Sequence, residues 1–298
     1  MRSNMQSLPE ILEPHKNYVL NEAYYFPKLT NSFYHNSPGV SSSTIRKFMD
    51  SQIHALYEEI EDSPALRFGT AAHALIVEGQ EAFDKDIAVI VGSPYTSANK
   101  SLKADYEQRG YTVINNQQKD DIFAMQEALI PEASKYLNPN ELDYPSIFES
   151  PYESSFYWYE GETLCKLRSD VIRHPIGQPY SEKNIIIVDY KTTADCSPKG
   201  FVSSVRKYGY DLQASWYKRG YEKAGFKVEG FYFVAQEKKK PYASKIFKMS
   251  EKDLVAGWIA LEGTLGLYRD VMKGEEPMIH NSPNLVEIKL REDSNATI

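Results

Sequence analysis

Asn184-Ile185-Ile186-Ile187-Val188-Asp189-Tyr190-Lys191-Thr192-Thr193 is a run of four β-branched residues closed at both ends by polar ones. Such a run reads as a buried strand. Residues two apart on a strand share a face, so Asp189 and Lys191 leave its end side by side. A carboxylate beside an ammonium can hold a divalent metal and position a water, the two requirements of phosphodiester hydrolysis. The plainer reading is an ion pair where a strand leaves the core.

The chain has 298 residues, of which 42% are hydrophobic, enough for one large domain or one domain with an elaboration. Its apolar runs are only a few residues long, so no membrane span is expected. Met1-Arg2-Ser3-Asn4-Met5-Gln6 lacks a signal-peptide core, which places the chain in the cytoplasm. Two cysteines, Cys165 and Cys196, are too few for a disulfide framework or a four-thiolate metal site. Lys+Arg number 34 against 41 Asp+Glu, a net charge of −7 that argues against a non-specific nucleic-acid coat but not against a local basic channel. The 22 tyrosines suit subunit contacts, base stacking or ordinary packing.

Residues 1–40 hold Pro9, Pro14, Pro27 and Pro38 with little periodicity and read as an extended arm with short turns. A single domain is expected over 41–290, and a frayed tail over 291–298. Ser41-Ser42-Ser43-Thr44 offers N-caps for a helix carrying Ile45, Phe48, Met49, Ile53 and Leu56, and a second helix runs from Pro64 to Glu78 before Gly79 stops it. A short strand at 87–91, a polar helix before Gly110 and a helix over 117–137 come next. Strands at 154–160 and 163–173 flank Gly161 as a hairpin. After the 184–193 strand come helices at 198–208 and 211–224, strands at 230–236 and 243–249, and a helix at 251–273. That last helix repeats Leu254, Trp258, Leu261, Leu265, Tyr268 and Met272 along one face.

Four weak signals fall in chain order. Gly69 and His73, four apart, share a helix face, and the missing glycine side chain leaves room beside the imidazole; a helical His is more often a surface or satisfied core residue. Asp170 ends a strand expected beside 184–193, so two carboxylates can converge on one ion. Asp189 and Lys191 come next, then Gln213 and Tyr217, again four apart on one helix face. Separately, the free N–H groups and hydroxyls at Ser43 form an anion site at a helix N-terminus, with Arg46 one turn in and Arg67 approaching from the next helix. The alternative is that these serines only cap the helix.

The order Gly-x-x-x-His, Asp, Asp-x-Lys, Gln-x-x-x-Tyr resembles the RecB-like branch of the PD-(D/E)XK nuclease superfamily. Phe68-Gly69-Thr70-Ala71-Ala72-His73, Cys165-Lys166-Leu167-Arg168-Ser169-Asp170, Asp189-Tyr190-Lys191-Thr192-Thr193 and Phe231-Tyr232-Phe233-Val234-Ala235-Gln236-Glu237 are similar to the RecE-type exonucleases, over roughly 40–275. One departure is Leu167, where the family usually has Gly three residues before its first Asp.

The resemblance implies an α/β PD-(D/E)XK core, a mixed central sheet flanked by helices, with an N-terminal helical elaboration. It implies one or two Mg²⁺ or Mn²⁺ ions held by His73, Asp170, Asp189 and the carbonyl of Tyr190. Lys191 would orient or activate the attacking water, Gln213 and Tyr217 would brace the site or touch the DNA backbone, and Glu78 and Glu153 are candidate supporting acids. Oxygen ligands suit Mg²⁺, while an imidazole sits better with Mn²⁺. The implied activity is 5′-to-3′ resection of double-stranded DNA ends for annealing-type recombination, phage-derived, beside a single-strand annealing protein. A homo-oligomeric ring, a tetramer, would reconcile the acidic chain with DNA if Lys199, Arg206, Lys207, Lys218 and Arg219 line its interior. Helicase- or CRISPR-associated members of the branch typically carry a four-cysteine iron–sulfur cluster, for which this chain lacks the thiols. A non-catalytic DNA-binding or assembly protein on the same scaffold is the reading from another class.

Overall fold

The computed structural model describes residues 6–27, 29–57, 63–93, 95–137, 154–173 and 183–280, with the side chains of 130–137, Ser154 and Arg173 excepted. The expected tail from 291 and Glu153 lie outside these residues. After a tight turn at Glu10–Leu12 come β1 (Tyr18–Leu20), β2 (Ala23–Phe26), α1 (Asn31–Asn36), α2 (Ser42–Asp50), α3 (Gln52–Tyr57), α4 (Pro64–His73), α5 (Gln80–Asp86), β3 (Ile87–Ile90), α6 (Ser97–Gln108), β4 (Thr112–Asn115) and α7 (Asn116–Leu137). The second half holds β5 (Ser154–Glu160), β6 (Thr163–Ser169), β7 (Val171–Arg173), β8 (Asn184–Thr193), α8 (Pro198–Tyr208), α9 (Tyr210–Lys223), β9 (Lys227–Glu237), β10 (Ser244–Lys248) and α10 (Glu251–Met272).

The strand that carries Asp189 and Lys191, β8, is one of two inner strands of a mixed sheet ordered β10-β9-β8-β7, parallel to β9 and antiparallel to β7. Alternation splits its side chains between two cores. Ile185 and Ile187 enter a cluster with Phe201, Trp216, Tyr221, Phe231 and Leu261, on the side of α8, α9 and α10. Ile186, Val188 and Tyr190 enter another with Phe68, Ala71, Leu75, Ile122 and Met125, from α4, α7 and the turn between α4 and α5. Burial on both faces is why the strand is apolar at successive positions and not at every second one. Asp189 and Lys191 have the parity of Ile187, so they leave the sheet toward α8 and α9.

A second sheet, β1-β2-β5-β6, joins the first through the chain itself. The strand expected over 163–173 is cut at Asp170: β6 pairs with β5, and β7 crosses to pair with β8. The N-terminal stretch differs from the expected extended arm, because β1 and β2 form a hairpin whose second strand pairs with β5. The prolines bracket these strands without interrupting them, and Tyr25 and Phe26 pack on Phe156 and Tyr157 with ring centroids 5.0 and 5.2 Å apart. Two cations on β6 fasten the segment from Leu29 to Ser37. Lys166 Nζ donates to the carbonyls of Tyr34 (2.8 Å), His35 (3.3 Å) and Ser37 (2.7 Å), and Arg168 donates to that of Leu29 (2.7 Å).

Three other elements depart from expectation. The helix over 45–56 breaks at Ser51, which turns extended and lets α3 start afresh. The helix over 64–78 is α only to His73 and then widens into a π-helical turn, Ala74–Glu78, which Gly79 ends at φ +93°. β4, parallel to β3, was not expected at all. Of the stripe on α10, Leu254, Leu261 and Leu265 are buried, whereas Met272 is exposed past the edge of the core.

Candidate active site

Val171 of β7 stands opposite Val188 of β8, so the residues flanking that pair, Asp170 and Asp189, fall side by side where β6 gives way to β7. Asp170 is fixed first, because its Oδ2 accepts the Tyr190 backbone N–H at 2.7 Å. Its Oδ1 lies 2.9 Å from His73 Nε2, at the end of α4. His73 Nδ1 is 3.3 Å from Glu78 Oε1. That second contact depends on the π turn: a residue five positions on points well around an α-helix, while the wider turn brings it back beneath its partner. Gly69, one turn before His73, faces Thr192 of β8, where a Cβ would make ordinary contact with Thr192 Oγ1 at 3.6 Å, so α4 does not require glycine for fit at this point.

Asp189 is 1% exposed, and Lys191 Nζ stands 2.6 Å from its Oδ2. Beyond this ion pair, neither Asp189 oxygen has a hydrogen-bond partner in the structure. Burial pushes the Asp189 carboxyl up to about 6, with Lys191 pulling against it and Asp170 adding to it. Burial acts on Asp170 in the same sense, but His73, Lys191 and the Tyr190 N–H together outweigh it and hold Asp170 below its usual range. Burial would lower Lys191; Asp189 and Asp170 overcome it and leave the ammonium raised. Two neighbouring carboxylates with opposite shifts are a signature of a working site.

A buried carboxylate whose lone pairs meet only one ammonium keeps unused acceptor capacity, which is costly unless a further cation takes it up. Among the described residues no three His, Cys, Asp or Glu side chains form a ready metal cluster. Two carboxylates, a backbone carbonyl and water nonetheless match the way Mg²⁺ is held, by few protein oxygens and several waters. The donor set therefore fits a hard divalent cation. His73 is engaged by carboxylates at both ring nitrogens, so it joins such an ion only when its contact with Asp170 opens.

Gln213 and Tyr217 meet as the helical spacing requires, Gln213 Nε2 donating to the Tyr217 hydroxyl at 3.0 Å. Burial raises the Tyr217 phenol well above its ordinary value, and the charges of Asp189 and Asp170 add to the shift along with Tyr34. Ser41 Oγ accepts the Thr44 N–H at 3.3 Å and meets Ser43 Oγ at 2.8 Å, so α2 is capped as its sequence requires. Ser43 is exposed, and Arg67 is half-buried near the start of α4. Arg46 pairs loosely with Asp50 at 3.7 Å and lies across Gly209. Of the five expected basic residues, Lys199, Arg206 and Lys207 are exposed on α8. Lys218 is instead taken up by Glu222 (2.8 Å) and Glu251 (3.1 Å), and Arg219 by Glu160 (2.7 Å).

Two residues beside this site lie outside the expected set of site residues. Tyr210 opens α9 and places its ring 5.0 Å from Lys191 Nζ. Gln236, buried on β9, accepts the Tyr190 hydroxyl at 2.8 Å and donates to the Met125 carbonyl at 2.8 Å, which steadies the backbone between Asp189 and Lys191. A buried Gln after a run of apolar residues was the available hint.

Residues 41–282 match the family described as PDDEXK-like domain of unknown function (DUF3799). The crystal structure of an exonuclease candidate from Eubacterium rectale superimposes with a TM-score of 0.59 at 17% identity, over 88% of this chain and 96% of that one. That likeness is one of fold. No curated protein sequence matches the chain.

Proposed function

The chain belongs to this PDDEXK-like family, and on that premise we propose that it is a divalent-metal-dependent exodeoxyribonuclease of the RecE type, resecting linear double-stranded DNA 5′ to 3′. The observation that carries this reading is Asp189, buried within β8 with no hydrogen bond beyond its ion pair, with Asp170 on one side and Lys191 on the other. Asp170, Asp189 and the Tyr190 carbonyl are the residues that would hold Mg²⁺ or Mn²⁺, with His73 joining them. The cation supplies charge neutralisation at the phosphate and acidifies a water. Lys191 holds its proton, places positive charge against the scissile phosphate and orients the attacking water. Gln213 and Tyr217, joined by their hydrogen bond, brace the site or touch the DNA backbone. Ser43, Arg46 and Arg67 are proposed to hold a 5′-terminal phosphate.

The biological setting we propose is annealing-type recombination of phage origin in the cytoplasm, beside a single-strand annealing protein, with 41–290 as one nuclease domain. No described helix is long and apolar enough to cross a membrane. The test is direct. With Mg²⁺, end-labelled linear duplex should be degraded while covalently closed circles of the same sequence persist, and a chelator should stop the reaction. Efficient cutting of closed circles removes the exonuclease reading. No hydrolysis of any DNA with either Mg²⁺ or Mn²⁺ favours a DNA-binding scaffold without chemistry.

A further inference from the structure

The α8–α9 junction carries a ladder of rings and cations that begins at the candidate reaction centre and ends in solvent. Lys191 Nζ lies 5.0 Å from the Tyr210 ring centroid. The Tyr210 and Tyr208 rings are stacked, with centroids 5.6 Å apart and planes 29° from parallel. Lys207 Nζ lies 5.2 Å from the Tyr208 centroid. Tyr210 is half-buried and held by Phe201 and Phe233, with centroids 6.3 and 5.8 Å away, while Tyr208 is 48% exposed. Between the two tyrosines Gly209 takes φ +64°, and a Cβ there would collide with Arg46 Cδ. Arg46 therefore lies along the same ladder, a second cation on its flank.

We propose that Tyr210, Tyr208 and Lys207 form a track for one single strand of nucleic acid leading away from the reaction centre, with Arg46 on its flank left to the terminal phosphate. An unpaired base stacks on Tyr208, and the adjoining backbone phosphate meets Lys207. Aromatic faces accept any base, and cations between them follow the backbone, the pattern of sequence-tolerant single-strand binding. A paired base has both faces covered by its neighbours, so the track selects unpaired strand. This inference rests on the nuclease reading and adds where one strand goes.

The test uses the intact protein with a chelator, so that nothing is cut, and reads fluorescence anisotropy of labelled oligothymidylate and of a blunt DNA hairpin. Tyr208→Ala should weaken oligothymidylate binding roughly tenfold, and hairpin binding less than about twofold. Tyr208→Trp should restore the affinity for oligothymidylate. Lys207→Gln should lower the steepness of its salt dependence by about one phosphate contact. Tyr208 is half in solvent, so its variants should keep the wild-type melting curve. Unchanged oligothymidylate binding in a folded Tyr208→Ala protein, or failure of Trp to restore it, overturns the track while leaving the nuclease reading standing. Wild-type protein that binds neither DNA overturns both.

Discussion

Asp189 concentrates the tension of the site in one side chain. Its ion pair with Lys191 is buried, and removing one member of such a pair leaves an uncompensated charge at a cost of about 3–5 kcal/mol. Burial already pushes the Asp189 carboxyl up to about 6 against the pull of Lys191, so removing that pull in Lys191→Ala raises it further and favours the neutral acid. Asp189→Asn and Lys191→Ala should therefore fold, and each should lower metal-dependent turnover by about 10²-fold or more through lost stabilisation of the transition state. A purified variant with wild-type melting and near wild-type turnover would show that the chemistry lies elsewhere. Lys166 is a different kind of buried cation, 6% exposed, satisfied by three carbonyls and pulled down to about 8 by burial. Between about pH 8 and its unfolded value of 10.5 the unfolded chain binds more protons there than the native one, so this group's contribution to stability rises with pH. Measured against Lys166→Met, wild type should gain up to about 3 kcal/mol across that window. A flat difference would mean that the carbonyls hold the ammonium without penalty.

At the scale of elements, α9 sits so close to β5 and β6 that only glycine fits at the contact. A Cβ on Gly220 would collide with Leu167 Cδ2 and come within 2.9 Å of Trp158 Cζ3. Gly220→Ala gains helix propensity of about 1 kcal/mol and loses about 1–3 kcal/mol to overpacking. The expected net result is a lower denaturant midpoint at unchanged slope; a higher midpoint would show that Leu167 can rotate away. Close packing of this kind also explains what the sequence revealed and what it hid. β8, α8, α9 and α10 were legible because their apolar periodicity is unbroken and their ends carry Ser caps or Gly stops. The β1–β2 hairpin and β4 were not, because their few residues owe their state to partners far along the chain, β5 and β3. The π turn after His73 is a one-residue widening with no composition of its own. Within the site, Asp170, Asp189 and Lys191 could be read from strand spacing. Tyr210 could not, since its place beside Lys191 is set by the left-handed Gly209 between two helices.

At the scale of the molecule the question is how a chain of net charge −7 holds a polyanion. The structure narrows the basic surface, because Lys218 and Arg219 are neutralised by Glu222, Glu251 and Glu160, leaving Lys199, Arg206 and Lys207 exposed together on α8. Three cations on one helix give few phosphate contacts, and binding through them alone would be weak at physiological salt. Repeating the helix around a closed ring multiplies the contacts without adding charge to any one subunit, and a ring also keeps DNA from leaving between cuts. We therefore propose a closed homo-oligomer of the 34.1 kDa chain, a tetramer on the strength of the RecE-type resemblance alone, that degrades linear duplex processively from its ends. Replacing Lys199, Arg206 and Lys207 together by Gln should shorten the tract removed per binding event and leave the mass by light scattering unchanged. A strictly monomeric wild-type protein that is still processive would sink the ring. Loss of the oligomer in the triple variant would place α8 in the subunit contact and not on the DNA.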